Sequence, residues 1–256
     1  MTVFGFPVLD DNYTWVIHDE TTQTTSVVDP ALTEPVIEFL EQRQWSLDYI
    51  LNTHHHRDHI DGILGLKKKY HCQVFGPFYD RHRIPGLDTL VKEGDEVSIG
   101  ADKGTVLFLP GHTHGHIAYW FKSQNILFCG DVLFALGCGR LFEGSPSQMW
   151  HSLDRLRQLP ALTQVFCAHE YTYENARFAL SVDSNNLNLQ KRMSWIENQR
   201  RQNLPTIPFT LQDELATNPF LRPESSQIRS HLGLEILETS NEEVFAKLRS
   251  LKDHFR

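Results

Sequence analysis

The chain has 256 residues, enough for one large domain or for a medium domain with a smaller partner. Its hydrophobic content of 40% and charged content of 22% are typical of a soluble globular protein. The net charge of -8, without a long basic run, argues against a nucleic-acid partner. The longest apolar stretches fall well short of the roughly 20 residues that a membrane span needs, so we expect no membrane partner either.

Charge and cysteine usage give a first indication of partners and compartment. Basic and acidic residues balance in residues 173–256, so the net negative charge belongs to residues 1–172. That excess suits cation binding, although a solvated acidic surface explains most of it equally well. The four cysteines form no Cys-x-x-Cys pair, and the first residues do not read as a signal peptide. We therefore expect a cytoplasmic protein, with a monomer as the working assumption.

Short β-rich runs bounded by turn residues dominate the first two thirds of the chain and predict strands. In chain order they are Tyr13–His18, Ser26–Val28, Tyr49–Leu51, Thr105–Leu109, Ile117–Phe121, Ile126–Cys129 and Val165–Cys167. Helices are predicted between them, one with Thr33 as its N-cap and one that opens with the capping box Ser145–Gln148. Strands that alternate with helices predict an α/β fold.

The pattern changes after residue 172. Residues 185–203 are polar and favourable to helix, and Ser240–Glu243 is a second capping box ahead of an apolar helical stripe. We predict one domain over residues 1–172 and a small helical domain over residues 173–256.

The run Thr53–His59 (THHHRDH) carries four candidate metal ligands, His54, His56, Asp58 and His59. In an extended segment residues i and i+2 point the same way, so His54 and His56 can converge on one ion. Asp58 and His59 then turn toward a second position. Imidazole and carboxylate suit Zn, Fe and Mn alike. The alternative is a surface histidine cluster that binds metal only adventitiously.

Three further candidate ligands, His112, Asp131 and His169, each follow an apolar strand. Taken singly, such residues are more often turn or cap residues. Ligands in open α/β sheets collect beyond the strand ends, however, so these side chains can meet the histidine run at one crevice. Together with that run they supply the ligands that two metal ions need.

The sequence resembles the metallo-β-lactamase superfamily and, within it, the glyoxalase II family of hydroxyacylglutathione hydrolases. The motifs that carry the resemblance are Thr53–His59, Pro110–His116, Phe128–Phe134, Gly137–Gly144 and Ala168–Thr172. The first and third are widespread in the superfamily, and the last two are specific to glyoxalase II. The resemblance implies an αβ/βα sandwich, in which two mixed sheets are flanked by helices, with a small C-terminal all-α domain.

The resemblance also implies two divalent metal ions, with Zn as the first choice and Fe or Mn as alternatives. It assigns the candidate ligands to two sites that share one carboxylate. Those ligands are His54, His56 and His112 for the first ion, Asp58, His59 and His169 for the second, and Asp131 for both. His55, His114 and His116 are left as supporting residues. Asp58 and Asp131 would be the catalytic carboxylates around a metal-bridging hydroxide that attacks the substrate.

The implied activity is hydrolysis of S-D-lactoylglutathione to D-lactate and glutathione, the second step of methylglyoxal detoxification. Basic and aromatic side chains would bind the glutathione part, namely Arg140, Phe142, Tyr171, Arg177, Phe178, Arg249 and Lys252. Arg249 and Lys252 are three positions apart and share a helix face, but a solvated basic patch is the alternative for them. Phe142 stands where family members can have a Tyr hydroxyl, so one hydrogen-bond donor is absent.

Other activities on the same fold are the competing hypotheses. A mononuclear iron glutathione persulfide dioxygenase does not assemble the second metal site, and the full set of candidate ligands argues against it. A lactonase, lactamase or nuclease is disfavoured by Gly137–Gly144 and by Arg249 with Lys252. A metal-binding module without catalysis is disfavoured by the intact ligand set.

Overall fold

The computed structural model describes residues 1–234 and 239–255, and the chain divides into two compact units. Unit 1 comprises Met1–Phe108 and His114–Gly130. Unit 2 comprises Leu109–Thr113 and Asp131–Arg256. No helix within residues 1–234 and 239–255 has the length and apolar character that a membrane crossing requires.

Unit 1 is built mainly from strands. They are β1 (Thr2–Val8), β2 (Asn12–Asp19), β3 (Thr24–Val28), β4 (Tyr49–Leu51), β5 (Gln73–Pro77), β6 (Thr89–Val91), β7 (Glu96–Ile99), β8 (Asp102–Phe108), β9 (Ile117–Phe121) and β10 (Ile126–Gly130). Its helices are α1 (Glu34–Glu41), α2 (Arg57–Ile60) and α3 (Ile63–Tyr70). Strands β1 to β6 form a mixed sheet in sequence order, antiparallel from β1 to β3 and parallel from β3 to β6. Strands β7 to β10 form an antiparallel meander.

The core of unit 1 lies between the mixed sheet and helices α1 and α3. Val27 and Ile50 from the sheet pack with Leu40 of α1 and Leu66 of α3, and all four are fully buried. Burial of each such side chain contributes roughly 1.5–3 kcal/mol. This packing fixes the carboxyl ends of β3 and β4, where the histidine run leaves the sheet.

Unit 2 is mainly helical. Its helices are α4 (Pro146–Arg157), α5 (Thr172–Val182), α6 (Leu187–Arg201), α7 (Leu211–Thr217), α8 (Ser226–Leu232) and α9 (Asn241–His254). Its strands are β11 (Leu133–Phe134), β12 (Gly137–Cys138), β13 (Gln164–Cys167) and β14 (Phe209–Thr210). Strands β11 and β12 form a hairpin, and β13 pairs with β14 in the antiparallel sense.

The helix starts test the capping predictions. Both predicted capping boxes are present, because Ser145 and Ser240 each accept a hydrogen bond from the backbone at the third helical position. Thr33 occupies the N-cap position of α1, as predicted, but its side chain makes no capping hydrogen bond. Its hydroxyl instead donates to the carbonyl of Gly62, 3.3 Å away. Each predicted strand overlaps an observed one.

Candidate metal centre

The histidine run leaves β4 as an extended loop that ends at the four-residue helix α2. Nε2 of His54 lies 3.0 Å from Nδ1 of His56. On α2, Nε2 of His59 lies 3.5 Å from Oδ2 of Asp58. Two ligand atoms at zinc bond lengths, with a tetrahedral angle between them, are about 3.3 Å apart. Both pairs are therefore close to the spacing that a shared ion requires.

Asp29, directly after β3, holds these histidines in orientation. Its Oδ2 accepts a hydrogen bond from the Thr53 hydroxyl at 2.6 Å and lies 3.1 Å from Nδ1 of His59. Its Oδ1 accepts the backbone N–H of Thr53 at 2.7 Å. The Thr53 hydroxyl in turn lies 3.0 Å from Nδ1 of His54. With Nδ1 of His54 and of His59 engaged in this way, Nε2 of these two rings is the nitrogen available to a metal.

His55 and His116 support the loop. Nδ1 of His55 lies 3.1 Å from Oδ2 of the buried Asp80, which also pairs with Arg83. The His116 ring stacks on that of His54 with centroids 4.6 Å apart. Asp29 and Asp80 were missed in the sequence. Asp29 has the same signal as the other candidates, a carboxylate that directly follows an apolar strand.

Unit 2 carries a second set of candidate ligands. Oδ2 of Asp131 lies 3.4 Å from Nε2 of His112 and also 3.4 Å from Nε2 of His169. Nδ1 of His112 lies 2.8 Å from the carbonyl of Arg140, so this nitrogen donates and Nε2 faces Asp131. The His169 ring stacks on Tyr171 with centroids 4.6 Å apart. One carboxylate oxygen therefore lies at ligand spacing from two imidazoles.

A glycine allows the chain to pass this close to the ligands. A Cβ at Gly139 would lie 2.0 Å from the carbonyl oxygen of Asp131 and 2.9 Å from Nδ1 of His112. No side chain fits there, because backbone atoms cannot move aside as a flexible side chain can. This close approach explains one glycine of the Gly137–Gly144 motif.

A cavity of about 300 Å³ adjoins Asp131 and His112 in unit 2. Five predicted substrate contacts line it, Arg140, Phe142, Tyr171, Arg249 and Lys252. The other two, Arg177 and Phe178, are not among its lining residues. Arg177 pairs with Glu174 at 2.8 Å, and Phe178 is 1% exposed and packs on Phe220. A larger cavity of about 600 Å³ is lined by none of the candidate ligands among the described residues, so we assign the chemistry to the smaller one.

Comparison with known proteins identifies the family. Residues 8–169 match the model of the metallo-beta-lactamase superfamily, and residues 170–255 match that of the hydroxyacylglutathione hydrolase C-terminus. The hydroxyacylglutathione hydrolase of Methylococcus capsulatus is 52% identical over 100% of this chain and 99% of its own length. The chain belongs to the hydroxyacylglutathione hydrolase family. The enzyme of that name from Maricaulis maris is 48% identical over 98% of this chain and 97% of its own length.

Solved structures confirm the predicted fold of this hydroxyacylglutathione hydrolase family member. ETHE1 from Myxococcus xanthus superposes with a TM-score of 0.68 at 23% identity and covers 100% of both chains. The B3 metallo-beta-lactamase BLEG-1 superposes with a TM-score of 0.66 at 22% identity, over 86% of this chain and 99% of its own. The fold is the metallo-β-lactamase fold, with mixed sheets flanked by helices.

Arg249 and Lys252, the two basic residues predicted to bind glutathione from one helix face, differ in how tightly the protein holds them. Arg249 is 4% exposed, donates to Oδ1 of Asp253 at 2.7 Å and donates to the carbonyl of Cys138 at 2.9 Å. Lys252 is only partly buried, and its Nζ donates to the carbonyl of Glu174 at 3.2 Å. Arg249 is thus fixed by protein partners, whereas Lys252 keeps donors for a ligand.

Desolvation is the main cause that lowers the pKa of Lys252 to about 8. The neighbouring Arg249 lowers it further, and Arg140 and Arg177 add smaller effects of the same sign. Glu174 opposes them. Because like charges crowd the ammonium, an incoming anion at this position relieves repulsion as well as forming a new pair.

Proposed function

We propose that the chain is a metal-dependent thioester hydrolase that converts S-2-hydroxyacylglutathiones, S-D-lactoylglutathione among them, to a 2-hydroxy acid and glutathione. The observation that carries the proposal is the equal spacing of Oδ2 of Asp131 from the imidazoles of His112 and His169. Full-length similarity to hydroxyacylglutathione hydrolases supports the choice of substrate.

We infer two metal sites from the donor set. The first site would take His54, His56, His112 and Asp131. The second would take Asp58, His59 and His169 together with Asp131, whose Oδ2 lies 3.4 Å from Nε2 of His169. Nitrogen and carboxylate donors fit Zn, with Fe and Mn as alternatives. When bound, such ions lower the pKa of water and polarise a carbonyl oxygen, so that a nucleophile is available at neutral pH without a serine or cysteine.

In this reaction the protein's residues would orient the metal ligands and bind the substrate. Asp29 and the Arg140 carbonyl hold the ring nitrogens so that the Nε2 atoms of His59 and His112 face inward. Asp58, whose carboxylate is partly exposed, is suited to accept the proton of the attacking water. Arg140 and Lys252 offer positive charge to the carboxylates of glutathione. The thiolate is a good leaving group, so little acid catalysis is needed.

We further propose a cytoplasmic monomer that binds neither nucleic acid nor membrane. The four cysteines are buried and form no disulfide with one another, which suits a reducing compartment; they are Cys72, Cys129, Cys138 and Cys167. Burial raises the pKa of both Cys72 and Cys138 to about 11, so these thiols are unreactive. Size-exclusion chromatography with light scattering tests the monomer, and limited proteolysis tests the division near residue 172.

The experiment for the function combines two measurements on one sample. Purified protein is assayed with S-D-lactoylglutathione by the loss of thioester absorbance, and its metal content is measured by mass spectrometry. We expect turnover together with close to two ions per chain. A single tightly bound iron, with oxygen consumption on glutathione persulfide and no thioester hydrolysis, would overturn the proposal.

A further inference from the structure

Asn12 is a buried polar residue outside the motifs that carry the family resemblance. It is the first residue of β2, pairs with Val8 across the β1–β2 hairpin and is 5% exposed. Its amide nitrogen donates to Oδ2 of Asp58 at 2.9 Å and lies 3.5 Å from the Asp58 carbonyl. The bond joins two elements 46 residues apart in the chain.

Asp58 needs such a partner because its own element does little to hold it. It lies on the four-residue helix α2, and its side chain is 36% exposed. A carboxylate so placed can turn into water, where it is well solvated. Its Oδ2 instead faces Nε2 of His59 at 3.5 Å, close to the spacing of two ligands on one ion.

We propose that Asn12 is a positioning residue that holds Asp58 in the orientation of a ligand for the second ion. This inference rests on the proposed function for the existence of that ion. A carboxylate oxygen has about two acceptor sites. The amide of Asn12 occupies one of them on Oδ2, which leaves the other for the metal.

If Asn12 positions Asp58, its removal should lower the affinity for the second metal ion but not for the first. Partners that orient metal ligands typically contribute 10- to 100-fold in metal affinity. Removal of the Asn12 amide should therefore weaken the binding of the second ion by about that factor. The first ion should be spared, because the Asn12 amide contacts Asp58, which is a proposed ligand of the second ion alone. The Michaelis constant for the thioester should change little, because Asn12 belongs to unit 1, whereas the cavity proposed to bind glutathione is lined by residues of unit 2.

The test is a Zn²⁺ titration of metal-depleted full-length protein against a chromophoric chelator, on wild type, Asn12→Ala and Asn12→Ser. Asn186→Ala is the matched control, because the Asn186 amide also donates to a carboxylate at 2.9 Å, that of Asp183, and to a backbone carbonyl. We expect Asn12→Ala to bind its first ion as wild type does and its second about 10- to 100-fold more weakly, with kcat restored by excess Zn²⁺. Asn12→Ser should be intermediate, and Asn186→Ala should bind both ions normally.

Equal weakening of both ions in Asn12→Ala, or no weakening of either, would overturn the inference. The metal titration uses no substrate, so it is independent of the activity assay. Wild type that binds two ions without hydrolysing the thioester would refute the proposed substrate, and the comparison of Asn12→Ala with wild type would still decide the role of Asn12. Asn12→Ser serves as the deciding variant should Asn12→Ala fail to fold.

Discussion

At the scale of single residues, Asp131 is notable because one of its carboxylate oxygens lies close to two imidazole rings. Oδ2 is 3.4 Å from Nε2 of both His112 and His169. An Asp131→Ala variant removes the shared ligand, so both proposed ions lose affinity together. We expect kcat for S-D-lactoylglutathione to fall by more than about 100-fold, since a direct ligand matters more than a supporting partner. Metal content should fall below one ion per chain. Asp154→Ala, which removes a half-exposed surface carboxylate, is the control.

The lowered pKa of Lys252 predicts a pH dependence of substrate binding. The amine is protonated below about pH 8 and loses its charge above that pH, because desolvation and the nearby Arg249 disfavour the ammonium. The affinity for the anionic glutathione part of the substrate should therefore be highest below pH 8, where Lys252 is charged, and should decline above it. One charged hydrogen bond contributes about 1.5–3 kcal/mol, so KM should rise about 10-fold or more.

Variants of two lysines isolate this effect. Lys252→Met should show the high KM at every pH and no rise near pH 8, whereas the exposed Lys191→Met should behave as wild type. A simple aryl thioester should show no such rise, since it lacks the glutathione carboxylates. A rise in KM near pH 8 that survives in Lys252→Met would contradict the assignment.

At the scale of elements, the β11–β12 hairpin is held by buried polar side chains rather than by its own short strands. Oε2 of Glu214 accepts the backbone N–H of Leu136 at 2.8 Å, and Asn218 donates to the Gly137 carbonyl at 3.0 Å. Asn175 donates to the Ala135 carbonyl at 3.1 Å. This arrangement keeps Phe134 of the hairpin against the His169 ring, with centroids 5.7 Å apart.

Glu214 should consequently be important for stability. It is fully buried and forms an ion pair with Arg192 at 2.5 Å, and burial raises its pKa. Glu214→Ala leaves the guanidinium without its partner and should lower the free energy of unfolding by about 3 to 5 kcal/mol. Urea denaturation measures the change. Glu224→Ala, which breaks a more exposed pair with Arg157, should change the midpoint little.

The elements that the sequence predicts well are those with a local physical signal. The capping boxes at Ser145 and Ser240 are found because serine and the residue three positions later interact within one turn. Thr33 is followed three positions later by Val36, which cannot complete a capping box, and its hydroxyl donates instead to the carbonyl of Gly62, a contact 29 residues away that only the folded chain creates. The roles of Glu214 and Asn12 are hidden in the sequence for the same reason, since each acts on an element far along the chain.

At the scale of the whole molecule, the ligand set is predictable because its members follow strands or share one short run. His112, Asp131 and His169 each come directly after an apolar segment, and ligands in open α/β sheets generally collect beyond strand ends. The orientation of the imidazole rings cannot be predicted in the same way. It depends on the contacts of Asp29 with His59 and of the Arg140 carbonyl with His112, which arise only in the folded chain. The candidate ligands can thus be named from the sequence, whereas the tautomer and the direction of each ring depend on the fold.

Because the proposed ligands span the chain from His54 to His169, metal binding should stabilise the native state of the whole molecule. An ion that binds the folded but not the unfolded chain adds about 2.7 kcal/mol when its concentration is 100 times its dissociation constant. Removal of metal with a chelator should then lower Tm by about 5 °C or more, measured by calorimetry. Asp131→Ala should lose most of this chelator-dependent shift, because it binds little metal to begin with, and Asp154→Ala should keep it. A wild-type Tm that does not respond to the chelator while bound metal is removed would show that the ions contribute to chemistry but not to folding.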